Sequence, residues 1–171
     1  VGLDRVLIAD QVVRGLLEFS RSRDFTRAPT SLREVAARAV RLISSQVPPG
    51  IEISQQVPDD LILSMDGQRI QEVFLNLLMN SIQAIVKPPG RITIKAQLDR
   101  RAGQAVVIVE DTGTGIAEKD LGRIFDPFFS TKDVSGTGLG LSIVYGIIEK
   151  HQGSISVESR ENEGCRFIIR L

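Results

Sequence analysis

The chain has 171 residues, with Lys+Arg and Asp+Glu both at 21, so no net electrostatic pull toward nucleic acid or anionic lipid is expected. Apolar residues make up 42% and charged residues 25%, which places the chain among soluble globular proteins, as one ordinary domain or one domain plus a short appendage. A single cysteine, Cys165, permits no internal disulfide and fits a reducing cytoplasm; no apolar run approaches the roughly 18 residues of a membrane span, and no signal peptide opens the chain.

The opening VGLDRV has no initiator Met and reads as the start of a fragment, expected in the cytoplasm, with membrane anchoring of a parent protein left open. Residues 3–23 lack proline and predict one helix. Leu3, Val6, Val13 and Leu17 form one apolar row, and Ile8, Val12 and Phe19 a second. A helix greasy on two sides calls for neighbours on two sides, as in a bundle or dimer, although an ordinary amphipathic helix packed on its own domain fits the same periodicity. DFTRAPTS then supplies Pro29 and small polar residues, a linker signal. The boundaries drawn are a helical segment at 1–25, a linker at 26–30 and a domain at 31–171.

Ser31 and Glu34 stand at capping-box spacing and open a helix running to about Gln46, which VPPG stops. Two short strand candidates follow, 51–57 and 61–65. Asp66 is placed to cap a long helix over 67–86, ended by KPPG. Residues 91–98 alternate, with Ile92, Ile94, Ala96 and Leu98 on one side, and predict a half-buried strand. AVVIVED is continuously apolar before its acids and suits a central strand. Residues 112–138, rich in Gly, Thr, Ser and Asp, predict a long loop with one short helix. A helix from about 139 to 151 and strands at 154–159 and 165–171 close the chain. Strand pairs separated by helices favour an α+β two-layer sandwich over a parallel βαβ sheet.

Three stretches carry the chemistry. In QEVFLNLLMNSIQAI, a narrow polar stripe of Arg69, Glu72, Asn76, Asn80, Gln83 and Lys87 runs at helical spacing through an otherwise apolar helix. Solvent-facing stripes are usually broad and charged. One that is carboxamide-rich in its middle suits the wall of a cleft, where amide oxygens can ligate a hard cation such as Mg²⁺. VEDTGTGI places Asp111 at a strand end, able to accept a hydrogen bond from an exocyclic amine, with Gly113 and Gly115 allowing tight turning and close backbone approach. Alone it equally describes a common turn. GTGLGLS opens directly into a helix, and its glycine-lined amides make an anion site; the spacing is neither a Walker A loop nor a dinucleotide fingerprint.

In this order and with these spacings, the three blocks resemble the ATP-binding domain shared by sensor histidine kinases, gyrase-type topoisomerases, heat-shock-90 chaperones and mismatch-repair ATPases. IFDPFFSTK, with Phe125, Phe128 and Phe129, is similar to an aromatic block of the histidine-kinase branch. The resemblance covers residues 30–171 and implies a two-layer α/β sandwich of the Bergerat type. It implies Asn80 as the Mg²⁺ ligand, with Asn76 supporting metal or phosphate. Asp111 would read the adenine amino group, and Gly113 and Gly115 would shape that pocket. Gly136, Thr137, Gly138, Leu139 and Gly140 would offer backbone donors to phosphate, and Lys132 a charge. Loop 116–138 would form a nucleotide lid, packed by the three phenylalanines. ATPase branches have a water-activating Glu four residues before the metal Asn; here that residue is Asn76, and a carboxamide cannot serve as a general base. The implied reaction is therefore transfer of the ATP γ-phosphoryl group to a histidine and onward to a response-regulator receiver domain.

The sequence also departs from the family pattern. Gln83 stands where some members have a Lys, so phosphate neutralisation has to come from elsewhere. The acceptor block H-E-[LI]-x-x-P is absent, and the one histidine, His151, lies at a helix end before Gly153. There the helix dipole favours it, and it needs no catalytic role. Residues 3–23 resemble the second helix of the histidine-kinase dimerisation hairpin, implying a homodimer in the full protein and a histidine-bearing first helix upstream. A serine/threonine anti-sigma-type kinase and a non-catalytic nucleotide-sensing module on the same fold stand as alternatives.

Overall fold

The computed structural model describes residues 24–131 and 138–171. The helix expected over 3–23, and Lys132, Gly136 and Thr137, lie outside the described residues.

A strand β1 (Ala28–Ser31) leads into helix α1 (Leu32–Ile43), which continues as a 3₁₀ turn to Gln46. Strands β2 (Ile51–Gln56) and β3 (Ile62–Met65) precede the long helix α2 (Gly67–Ala84). After it come β4 (Gly90–Asp99), β5 (Gln104–Asp111), a single turn α3 (Glu118–Leu121), helix α4 (Gly140–Lys150), β6 (Ser154–Ser159) and β7 (Cys165–Arg170). Both expected caps form. Ser31 accepts the Glu34 N–H, and Asp66 accepts those of Gln68 and Arg69, satisfying donors that the first helical turn leaves without partners. No helix among the described residues is long and apolar enough to cross a membrane.

Strands β2-β4-β5-β7-β6 make one five-stranded sheet, and α2 packs against both α1 and α4 over one of its faces. Strand alternation explains why one face is covered. Ile92 and Ile94 of β4, Val107 and Val109 of β5, and Phe167 and Ile169 of β7 point inward and are buried with Ile70, Phe74, Leu77 and Leu78 of α2. The opposite face carries charge across neighbouring strands: Lys95 pairs with Glu110, Arg166 bridges Glu110 and Glu158, and these partners hold the Glu110 carboxyl below its usual range. The result is the expected α+β two-layer sandwich.

Three details differ from the sequence reading. The stretch read as a linker contains β1, which pairs antiparallel with β3 from Ala28↔Met65 to Ser31↔Ile62. Its proline fits because a strand with a free edge tolerates a missing N–H. The two strand candidates before α2 do not pair with each other, since β3 turns away to β1. Finally, β2 and β4 run parallel, so the sheet holds one parallel pair closed by the α2 crossover.

His151 is structural, as expected, but not for the expected reason. It is buried, its Nδ1 sits 2.8 Å from the Ile147 carbonyl, and its Nε2 accepts the Asp66 N–H at 3.0 Å. That pairing needs a neutral ring with the proton on Nδ1, and burial lowers its pKa. A dipole-stabilised cation is therefore the wrong picture. The imidazole ties the end of α4 to the start of α2. Phe25 covers it edge-on at 4.6 Å, while the Thr26 N–H reaches Asp66 at 3.1 Å.

Candidate nucleotide-binding site

Helix α2 sets the frame of the site. Its buried face carries Ile70, Val73, Phe74, Leu77 and Leu78, which fixes the rotation of the helix and leaves Asn76 and Asn80 half-buried beside that face. The Asn76 Nδ2 donates to the Glu72 carbonyl one turn back at 3.0 Å. Its Oδ1 is thereby aimed at the start of α4, where it would lie 3.1 Å from a Cβ added at Gly140. The structure thus brings the asparagine block against the helix that the glycine run opens. Gly138 has φ +69, and its carbonyl accepts the Phe128 N–H at 3.0 Å. Leu139 is buried, and the Ser142 hydroxyl donates to its carbonyl at 2.8 Å.

The Asp111 block meets the other end of α2. The Thr114 N–H donates to the Ala84 carbonyl at 2.9 Å, and a Cβ on Gly113 would stand 2.7 Å from the Ala84 backbone. Only glycine allows the loop to lie this close to the helix end. Asn80 is one turn before Ala84, about 6 Å along the axis. Asp111 is buried at the end of β5 and accepts the Gly113 N–H at 2.8 Å, a turn that orients its carboxylate. Beside it on β7, burial together with the Asp111 carboxylate pushes the Cys165 thiol up to about 12, so this thiol stays protonated and inert at neutral pH.

The aromatic block divides in two. Phe125 packs on Tyr145 and Phe167 at 5.7 and 6.3 Å between ring centres, and Arg123 lies over Phe129. Phe128 instead has φ 65 and an exposed ring, because its backbone turns left-handed to meet Gly138. Phe128 thus differs from the other two, which are half-buried.

Magnesium fits the donors present. Among the described residues no group of three or more His, Cys, Asp or Glu side chains gathers to cage an ion. The half-buried carboxamides of Asn76 and Asn80 are of the donor type that suits a hard cation taking most of its oxygens from phosphate and water.

The sequence reading missed the turn between β6 and β7, whose backbone meets the Asp111 loop. Its signal was a glycine, Gly164, outside any recognised block. It also missed the Asp66–His151 contact, which joins residues 85 apart in the chain.

Residues 65–171 match the family model described as "Histidine kinase-, DNA gyrase B-, and HSP90-like ATPase". The sensor histidine kinase ZraS of Salmonella typhi is 35% identical over 164 residues, 95% of this chain and 35% of that protein. The chain thus spans about a third of the length of that curated relative. A catalytic domain of the histidine kinase ThkA, solved without nucleotide, is 34% identical with a TM-score of 0.74, covering 87% of this chain and 97% of that one. ThkA in complex with the response regulator TrrA superposes with a TM-score of 0.80 at 29% identity, covering 99% of this chain and 48% of that one. With Asn76 facing the glycine-opened helix and the Asp111 turn meeting the end of the same α2, the chain belongs to the histidine kinase-, DNA gyrase B- and HSP90-like ATPase family, as the ATP-binding catalytic domain of a sensor histidine kinase.

Proposed function

We propose that this domain binds Mg·ATP and, in its complete protein, passes the γ-phosphoryl group to a histidine on a dimerisation helix of a homodimer. The P–O bond to ADP breaks, a P–N bond forms at the imidazole, and the phosphoryl group moves on to a receiver-domain aspartate. The observation that carries this reading is Asn76. It occupies the position where the ATPase branches of the family place a water-activating glutamate, and its amide is engaged at Glu72 and turned toward Gly140. A carboxamide cannot remove a proton from water, so bound ATP is kept for transfer. The complex of the relative ThkA with its response regulator supports a receiver domain as partner.

Each block has its own task. Asp111 accepts from the adenine amino group. The amides from Gly136 to Gly140 donate to the phosphates, and Lys132 adds charge there. Asn80, helped by Asn76, holds the metal, which supplies charge neutralisation on the phosphates when bound. Rate enhancement then rests on positioning and preorganised charge.

Calorimetric titration with a non-hydrolysable ATP analogue, with and without Mg²⁺, tests the reading. One metal-dependent site per chain is expected, with Asn80→Ala losing the metal dependence. Unchanged Mg-nucleotide affinity in that variant removes Asn80 from its role. Adding a histidine-bearing acceptor helix should then yield acid-labile phosphate on the helix, whereas phosphate on a seryl partner would move the chain to the serine-kinase branch.

A further inference from the structure

We propose that Ser159 is a positioning residue that sets base specificity, by holding the Asp111 loop through the turn between β6 and β7; this rests on the reading that Asp111 faces the adenine. Asp111 ends β5, Cys165 begins β7 and Ser159 ends β6. All three share one row, since Cys165 is paired with Asp111 on one side and with Ser159 on the other. Ser159 therefore stands two strand spacings from Asp111, about 10 Å away.

Its hydroxyl works on both segments at once. It accepts the Ile116 N–H at 2.8 Å and donates to the Gly164 carbonyl at 2.7 Å. Around it the two backbones interlock. The Asn162 N–H donates to the Thr114 carbonyl at 2.6 Å. A Cβ on Gly115 would fall 1.9 Å from the Arg160 carbonyl oxygen, and one on Gly164 would fall 2.1 Å from that of Asp111. Contacts that close, at two glycines facing opposite ways, leave the loop one place to sit. The Ser159 hydroxyl bridges the far end of the loop, where Ile116 leaves it, to the near end of β7.

The chemical consequence is discrimination. A fixed carboxylate accepts from the 6-amino group of adenine and opposes the 6-oxo group of hypoxanthine or guanine. Hydrogen-bond selectivity of this kind depends on the acceptor being held in place. Removing the Ser159 hydroxyl leaves the Ile116 N–H and the Gly164 carbonyl without that partner, and the carboxylate gains room to shift.

The test is calorimetric binding of ADP and IDP to the full chain and to Ser159→Ala, Ser159→Thr and Ser159→Cys. Wild type should prefer ADP. Ser159→Ala should cut the ADP-to-IDP affinity ratio about fivefold, the equivalent of one lost hydrogen bond, mainly by weakening ADP. Ser159→Thr should restore the ratio. Ser159→Cys, close in shape with a weak donor, covers the case in which the alanine variant does not fold. In each weakened variant the Ile116 amide should exchange faster with solvent. A ratio unchanged in both Ala and Cys variants overturns the proposal, as does equal loss for both nucleotides, which marks a role in stability alone. Wild-type protein that binds ADP and IDP alike overturns the adenine reading itself, and the inference with it.

Discussion

The two regions proposed to meet base and phosphate are held by different contacts. On the base side, the loop from Asp111 to Ile116 is pinned by backbone against backbone. It meets the end of α2 at Ala84 and the β6–β7 turn at Arg160 and Asn162. On the proposed phosphate side, Gly138 lies against the Phe128 backbone, which would stand 2.5 Å from an added Cβ, and its carbonyl accepts the Phe128 N–H, whereas Gly140 faces a side chain, Asn76. A base is told from its analogues by a fixed pattern of donors and acceptors, which rewards rigidity. Phosphate is met by charge and by N–H groups at a helix start, which tolerate adjustment. Helix α2 connects the two regions, with Asn76 and Ala84 about 12 Å apart along its axis.

One substitution made at both ends sharpens this contrast, and its larger effect belongs to the base side. Gly115→Ala places a methyl group onto the Arg160 carbonyl at a residue with φ +70. It should cost about 1–3 kcal/mol of stability and at least about tenfold in adenine nucleotide affinity, read by denaturant titration and calorimetry. Retained affinity would mean that the base-side loop is not held as tightly as its contacts imply.

A smaller effect is expected from acid, and it enters where α2 begins and α4 ends, far along α2 from the Asp111 loop. Burial places the folded pKa of His151 below its ordinary 6.5, so the unfolded chain binds more protons at and below that pH. The stability contributed by the neutral ring is present above pH 6.5 and is lost as pH falls through the folded value. Melting temperature should drop between pH 7 and 5.5 and flatten in His151→Gln. Amide exchange should rise first near Asp66 and the end of α4, with the Asp111 loop following later. Simultaneous loosening of both would erase the distinction.

The smallest effect should come from Gly140→Ala. Its φ is not in the left-handed region, and its new methyl would meet only the flexible Asn76 Oδ1 at 3.1 Å. A stability change within about 1 kcal/mol and near-normal binding are expected from the same two measurements; a loss as large as at Gly115 would contradict the looser fit at Gly140.

Much of this was legible in the residues. The α2 boundaries followed from Asp66 and KPPG, and strands β4 and β5 from their patterns. The three blocks stood out because each is a local device, a helical stripe, a strand-to-turn acid and a glycine-opened helix, and it was the family resemblance that implied a nucleotide for them. What stayed hidden is non-local. The register that sets Ser159 on the Asp111 row requires knowing that β7 lies between β5 and β6. The pairing of β1 with β3 was masked by Pro29, which local rules read as a break although a free edge accepts it. The Asp66–His151 bond joins a cap and a helix end, neither of which advertises the other. Local pattern marked the candidate residues, and strand order was needed to tell what holds them.

The covering of His151 by Phe25 changes how the segment at 24–27 bears on the domain. Thr26 is bonded to Asp66, Arg27 reaches the Lys150 carbonyl, and the strand that follows is paired in full with β3. This grip lies where α2 begins and α4 ends, so any displacement of the segment would bear on the two helices that carry Asn76 and Gly140 at once.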